Sequence, residues 1–157
     1  VIMVATIWRP RDAAADFLFA AGATGRDLVS GRHLETAVTL SLFTDRLADA
    51  SDPIPDGTPN RRGWWGDSGL PLAQHMGSRL WLLAREKRTE PTRLRYEQYA
   101  REALAWLVDE RVASKVEVTG TWHARAMDRL DLHIVVWKGD RRLLDRRYDL
   151  AWNELGQ

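Results

Sequence analysis

The stretch Leu130-Asp131-Leu132-His133-Ile134-Val135-Val136-Trp137-Lys138-Gly139-Asp140 decides the fold class. Leu130, Leu132, Ile134 and Val136 alternate with Asp131 and His133, the period of a strand with one dry face and one wet face. Lys138-Gly139-Asp140 then has the chemistry of a hairpin turn. Upstream, Val116, Val118 and Trp122 alternate with Glu117, Thr119, Thr121 and His123. Downstream, Leu144, Tyr148 and Leu150 alternate with Asp145, Arg147 and Asp149. The pattern predicts an antiparallel three-stranded meander whose apolar face packs on helices.

The helices come from the middle of the chain. Leu34, Ala37, Val38, Ser41 and Leu42 recur at helical spacing over Arg32 to Arg46, with Ser30 placed to cap the first turn. A second helix is predicted over Leu72 to Lys87, burying Met76, Leu80, Trp81, Leu83 and Ala84. Thr89-Glu90-Pro91 starts a third, because threonine caps and proline is tolerated in a first turn. Its stripe of Tyr96, Tyr99, Ala100, Ala103, Leu104 and Leu107 runs to about Glu110. Glu97 and Arg101 make an exposed i,i+4 pair on it. Residues 48–71 form a long connection in which Pro53, Pro55 and Pro59 block regular hydrogen bonding. At the start, Val1 to Trp8 reads as a strand closed by Arg9-Pro10. It pairs with Asp16 to Ala20 across a turn at Pro10 to Asp12. The expectation is an α+β fold: one domain over 1–157, an antiparallel sheet with a possible N-terminal hairpin, packed against about three helices.

Bulk composition narrows the function. The 157 residues are enough to bury a core without staples. Net charge is +1, from 23 Lys+Arg against 22 Asp+Glu, which disfavours a dedicated nucleic-acid or membrane-surface binder. With no cysteine, disulfides, thiolate catalysis and cysteine-ligated zinc are excluded. No apolar run approaches membrane-spanning length. Val1 to Ile7 is short and lacks the basic leader of a signal peptide. Eight tryptophans against three Phe and three Tyr point to a thick core, a contact surface, or both.

No catalytic constellation stands out. His33, His75, His123 and His133 lack HxxxH or HExxH spacing. His123 and His133 can approach each other on neighbouring strands, but two histidines make a poor zinc site. Gly22-Ala23-Thr24-Gly25 lacks the lysine of a phosphate loop, and no GxSxG elbow exists. Asp109 and Glu110 are adjacent on a helix and so point about 100° apart, unlike a glycosidase pair. The stretches Arg85-Glu86-Lys87-Arg88, Arg93-Leu94-Arg95 and Arg141-Arg142 to Arg146-Arg147 carry interleaved acids, which favours arginines reaching carboxylates over a nucleic-acid groove. No metal, cofactor or small-molecule substrate is expected. Arg61-Arg62-Gly63-Trp64-Trp65-Gly66-Asp67 is the most unusual stretch. One reading is a loop anchored on its own core by two aromatics. The other is a protein-contact loop, since Trp and Arg dominate interface hot spots. The two are compatible if one Trp points in and one out.

Several blocks in order resemble a known family: Leu34 to Arg46, Arg61 to Asp67, Gly77 to Lys87, Tyr99 to Asp109 and Tyr148 to Trp152. The chain resembles the Mu-like phage tail baseplate protein, similar to the wider wedge and sheath-initiator family of contractile tails. The resemblance implies a structural, non-enzymatic subunit of the virion baseplate, assembled in the host cytoplasm. It also implies wedge, hub and sheath proteins as partners and no nucleic acid or membrane. Such proteins offer strands on which sheath subunits build by strand addition. The strand near Leu143 to Leu150, with Arg146 and Tyr148, is the expected edge or its neighbour. The wider family often carries Glu-Pro-Arg before the β region. Here Asp109-Glu110-Arg111 keeps the acid and the arginine, making all three interface candidates beside Arg61, Arg62, Trp64 and Trp65. Arg111 can alternatively serve the helix C-terminus electrostatically. Two other classes stay open: a nucleic-acid-binding module and a small cell-wall hydrolase.

Overall fold

A computed structural model describes residues 6–9, 14–17, 19–22, 25–28, 33–69, 75–123 and 129–151. The three-stranded antiparallel meander is present in the order β5 (Lys115–Trp122), β6 (Arg129–Lys138), β7 (Arg141–Ala151). Its register pairs Val118 with Ile134 and Ile134 with Arg146, and Gly120 with Leu132 and Leu132 with Tyr148. A bulge between Val136 and Trp137 leaves Leu143 as the extra residue of β7.

Two short hairpins precede α1: β1 (Thr6–Arg9) with β2 (Ala14–Phe17), and β3 (Phe19–Gly22) with β4 (Gly25–Leu28). The expected N-terminal hairpin therefore exists, but the segment Asp16 to Ala20 is divided between two hairpins. The proposed turn at Pro10 to Asp12 and the Ser30 cap lie outside the described residues.

α1 spans His33–Phe43 and buries Val38 and Leu42, as its periodicity predicts, together with Thr36, Thr39 and Ser41. Two of these hydroxyls are satisfied within the helix, Thr39 donating to Glu35 O at 2.8 Å and Ser41 to Ala37 O at 2.8 Å. α2 spans Glu90–Ala103, with Thr89 accepting from Thr92 N as its cap and Pro91 in the first turn. It ends before Glu110. Leu104 leaves helical geometry at φ −103°, and a four-residue α3 (Trp106–Asp109) follows.

The predicted helix over Leu72 to Lys87 is not formed across its described part; only a 3-10 turn at Leu80–Leu83 is helical. Residues 76–79 serve another purpose. Ser78 N donates to Thr44 O at 2.9 Å and Arg46 N donates to Ser78 O at 3.0 Å, forming a parallel bridge with the segment after α1. Gly77 at φ 102° brings the backbone against Thr44, where a Cβ would collide with the Thr44 carbonyl. Apolar periodicity alone cannot register a strand bridge of this kind.

The main core joins all these layers. Val38 and Leu42 from α1, Tyr96 and Ala100 from α2, Leu104 and Leu107 meet Leu130, Leu132, Ile134 and Val136 of β6. Each large aliphatic side chain buried there stabilises by about 1.5–3 kcal/mol. A smaller cluster of Ala48, Trp81 and Leu82, with Ile54 and Tyr99 against it, holds down the long connection. Among the described residues, no helix is long and apolar enough to cross a membrane.

Candidate assembly interface

The two outer edges of the sheet differ in kind. On β5, Gly120 N donates to Glu97 Oε1 at 2.9 Å, Val118 O accepts from Arg101 Nη2 at 2.9 Å, and Gly120 O accepts from Arg93 Nη1 at 3.1 Å. Glu97 in turn binds Arg93, and Arg101 at 2.8 Å. These groups are the strand's outward-facing donors and acceptors, so α2 side chains take the place of a further strand. Of the pair Glu97–Arg101, Arg101 is exposed as expected, but Glu97 is buried at 6% exposed. Burial raises the Glu97 pKa, but the Gly120 N–H and the guanidiniums of Arg101 and Arg93 outweigh it and hold the carboxyl below its ordinary value.

The other edge follows from the same register. Antiparallel partners alternate between hydrogen-bonded and non-bonded pairs. Val118 and Gly120 turn their backbone groups away from β6, so their partners Ile134 and Leu132 turn theirs towards β7. Arg146 and Tyr148 answer them. The backbone groups of Asp145, Arg147 and Asp149 therefore point outward. Among the described residues, no backbone group outside the sheet pairs with β7. The bulge at Leu143 disrupts the first part of this edge and leaves Leu144 to Leu150 regular.

An open groove runs along that edge between His33, Leu34 and Glu35 of α1 and Leu144, Asp145 and Arg146 of β7. Leu34 and Leu144 form part of its apolar lining, both packed against the core. Arg146 binds Glu35 at 2.9 Å across it. Tyr148 is not at the surface: it is 4% exposed, packs on Phe43 with ring centroids 5.5 Å apart, and lies 3.4 Å from the Thr39 hydroxyl. Burial raises its pKa. Its backbone groups face Leu132 of β6, so Tyr148 supports the outer edge from within the sheet.

The Arg61 to Asp67 loop divides its two tryptophans. Trp64 is half-buried and lies over Gly66, where a Cβ would overlap its ring. Trp65 is 83% exposed at the start of a 3-10 turn (Trp65–Gly69). The loop is braced from behind. Arg61 donates to Asp49 O and to Asp52 O at 3.2 Å. Arg62 binds Asp45 at 2.7 Å and stacks over Trp81 at 4.8 Å from the ring centroid. Arg62 sits at φ 47°, a strained value for a residue with a side chain. Buried Asp67 accepts from Met76 N at 3.2 Å.

Asp109, Glu110 and Arg111 sit exposed at the end of α3. Arg111 has φ 57°, the left-handed position that ends helices, and its carbonyl accepts from Lys138 Nζ. Trp106, Val108 and Val112 are exposed apolar neighbours along the same turn.

The other chemistry-bearing residues are spread out. His133 pairs with Asp145 at 2.7 Å, not with His123; this bond holds Asp145 below its ordinary pKa. Asp131 is raised, by burial and then by Asp149 directly across the strands. Among the described residues, no group of three His, Cys, Asp or Glu is placed to hold a metal ion. The later arginine-rich stretches meet acids, Arg93 with Glu90, Arg95 with Glu86 and Arg142 with Asp145, whereas Arg88 donates to His123 O.

Sequence reading missed the part played by Glu97 and Arg93, and by Arg79. Arg79 joins Asp49 at 2.7 Å, Asp52 at 3.1 Å and Glu102 at 2.7 Å, and lies over Tyr99. The Glu90, Arg93, Glu97, Arg101 spacing on one helix was the available signal for the first group. Nothing local marks Arg79, whose partners are scattered along the chain.

Residues 34–143 match the model of the family described as phage protein GP46. "Baseplate protein gp46" of Escherichia phage Mu is 51% identical over 94 residues, 60% of this chain and 63% of that protein. "Mu-like prophage FluMu protein gp46" of Haemophilus influenzae is 35% identical over 120 residues, 76% of this chain and 79% of that protein. The chain thus aligns with just under two thirds of the Mu protein's length. The family match covers α1 from Leu34, the tryptophan loop, α2, α3, β5 and β6, and so the capped edge and the braced loop; it stops at residue 143, before most of β7. This chain belongs to the phage GP46 family.

Proposed function

We propose that the chain is a structural, non-enzymatic baseplate subunit of a contractile phage or phage-like tail. In this reading it docks on wedge proteins and starts the sheath by accepting strands onto its own sheet. The observation that carries the reading is the asymmetry of the sheet: β5 is capped by Arg93, Glu97 and Arg101, while the outward backbone groups of β7 at Asp145 and Arg147 meet no backbone partner among the described residues. An uncapped edge is normally a liability, and a soluble subunit tolerates one when a partner covers it. The similarity to a Mu baseplate protein and to a Mu-like prophage protein supports that setting.

Wedge docking is assigned to the features away from the sheet edge. Trp65 presents a ring from a braced loop, and Arg61, Arg62 and Trp64 hold that loop in shape. Arg111, with Asp109 and Glu110, presents charge beside Trp106, Val108 and Val112. Tryptophan and arginine at such sites contribute disproportionately to binding. Assembly takes place in the host cytoplasm and the product is part of the virion.

Reconstitution with the neighbouring tail proteins tests the reading. Trp65→Ala and Arg111→Ala are expected to fold normally and to lose wedge binding. Replacing Arg147 by Pro removes an outward N–H from β7 and is expected to stop sheath addition while wedge binding persists. Normal assembly with all three variants would refute the proposal.

A further inference from the structure

We infer that the depression between the long connection and α2 receives an apolar side chain flanked by carboxylates from a partner protein. Pro53 and Pro55 form one wall, Leu82 and Leu83 with Tyr99 form apolar lining, and Arg85, Glu86 and Arg95 are the charged groups in the lining. Its volume is about 160 Å³. A cavity of about 150 Å³ accepts benzene, so this one fits a phenylalanine ring or a leucine side chain.

The depression is already built. Proline fixes the backbone of its wall. Arg79 clamps that wall to α2, bonding Asp49 and Asp52 on one side and Glu102 on the other. Arg61 adds a bond to Asp52 O at 3.2 Å. Leu82 and Leu83 are buried parts of the two core clusters. A guest enters without reordering the site, which removes much of the usual entropic cost of binding.

The charge around it selects the guest. Glu86 is occupied by Arg95 at 2.9 Å. Arg85 has no ion-pair partner among the described residues. Lys87 follows on the same connection, exposed. Arg88 donates to His123 O at 3.2 Å and faces Trp122, so its side chain is engaged elsewhere. A free guanidinium above an apolar floor favours a carboxylate next to a hydrophobic residue and repels a basic one. The inference does not depend on whether β7 accepts a strand.

The probes are two short capped peptides, one with a phenylalanine between aspartates and one with it between lysines. Each is titrated into the full chain while the methyl signals of Leu82 and Leu83 and the ring signals of Tyr99 are followed by NMR. The aspartate peptide is expected to move those signals, and the lysine peptide to bind about tenfold or more weakly. Arg85→Glu, an exposed change that leaves other signals in place, is expected to reverse the preference. The proposal is overturned by equal binding of both peptides, by shifts that ignore Arg85→Glu, or by no shift at millimolar peptide. Concentration-dependent movement of the same signals without peptide would assign the depression to a second copy of the chain and equally overturn it.

Discussion

Glu97 shows how much one side chain decides. It is a buried carboxylate with a hydrogen bond to Gly120 N and two guanidinium partners, so its native pKa lies below the ordinary 4.5. Its contribution is fully present above that ordinary value and is lost as pH falls through the native one. Glu97→Gln is therefore expected to lower stability by about 1.5–3 kcal/mol at neutral pH. It should also flatten the stability loss seen in urea titrations as pH falls below the ordinary carboxylate value. A variant with an unchanged acid slope would show that Glu97 is not the titrating group. The tryptophan loop offers a contrasting pair. Trp65→Ala is expected to shift stability by no more than about 0.5 kcal/mol, since the ring is exposed. Gly66→Ala forces the Trp64 ring to move and is expected to cost about 1–3 kcal/mol; thermal unfolding of both variants distinguishes display from packing.

At the scale of elements, β5 and β7 should behave oppositely although both are edge strands. Hydrogen exchange is expected to be slow at Gly120 N, which is covered by Glu97, and fast at Asp145 and Arg147, whose amides point outward. Glu97→Gln should speed Gly120 while leaving those two unchanged. Equal protection at both edges would remove the distinction. The strands themselves were legible, because alternation over Leu130 to Val136 is a direct readout of one buried face. The start of α2 was legible for the same local reason, Thr89 capping and Pro91 in the first turn. Its end was not: Leu104 and Leu107 continue the apolar stripe straight through the break, and both are buried in the main core. The helix expected over Leu72 to Lys87 failed because Leu80, Trp81 and Leu83 match a helical period while Gly77 and Ser78 answer to Thr44 and Arg46, far back in the chain.

The molecule as a whole depends on Arg79, which ties the long connection to α2. Burial opposes its charge, and the bonds to Glu102 and Asp52 outweigh that, so its pKa is raised. Arg79→Met keeps much of the stem but leaves Asp52 to the Asp49 N–H at 2.9 Å and Glu102 to Arg46 at 3.6 Å. It is expected to cost about 2–4 kcal/mol, somewhat less than breaking a fully buried pair. Limited proteolysis should then cut between residues 50 and 60 while the sheet stays intact; resistance there would show that the small cluster around Trp81 holds the connection unaided. This tether was invisible in the sequence because Asp49, Asp52 and Glu102 look like ordinary surface acids until the chain folds them around one guanidinium. The split of Trp64 and Trp65 into one inward and one outward ring was readable as a possibility from the paired aromatics, whereas which ring faced water depended on Gly66. The capped flank of β5 has a consequence for growth. If neighbours join by pairing backbones, a stack begun on this subunit has a fixed polarity: the subunit can be the first rung of a ladder but never a middle one.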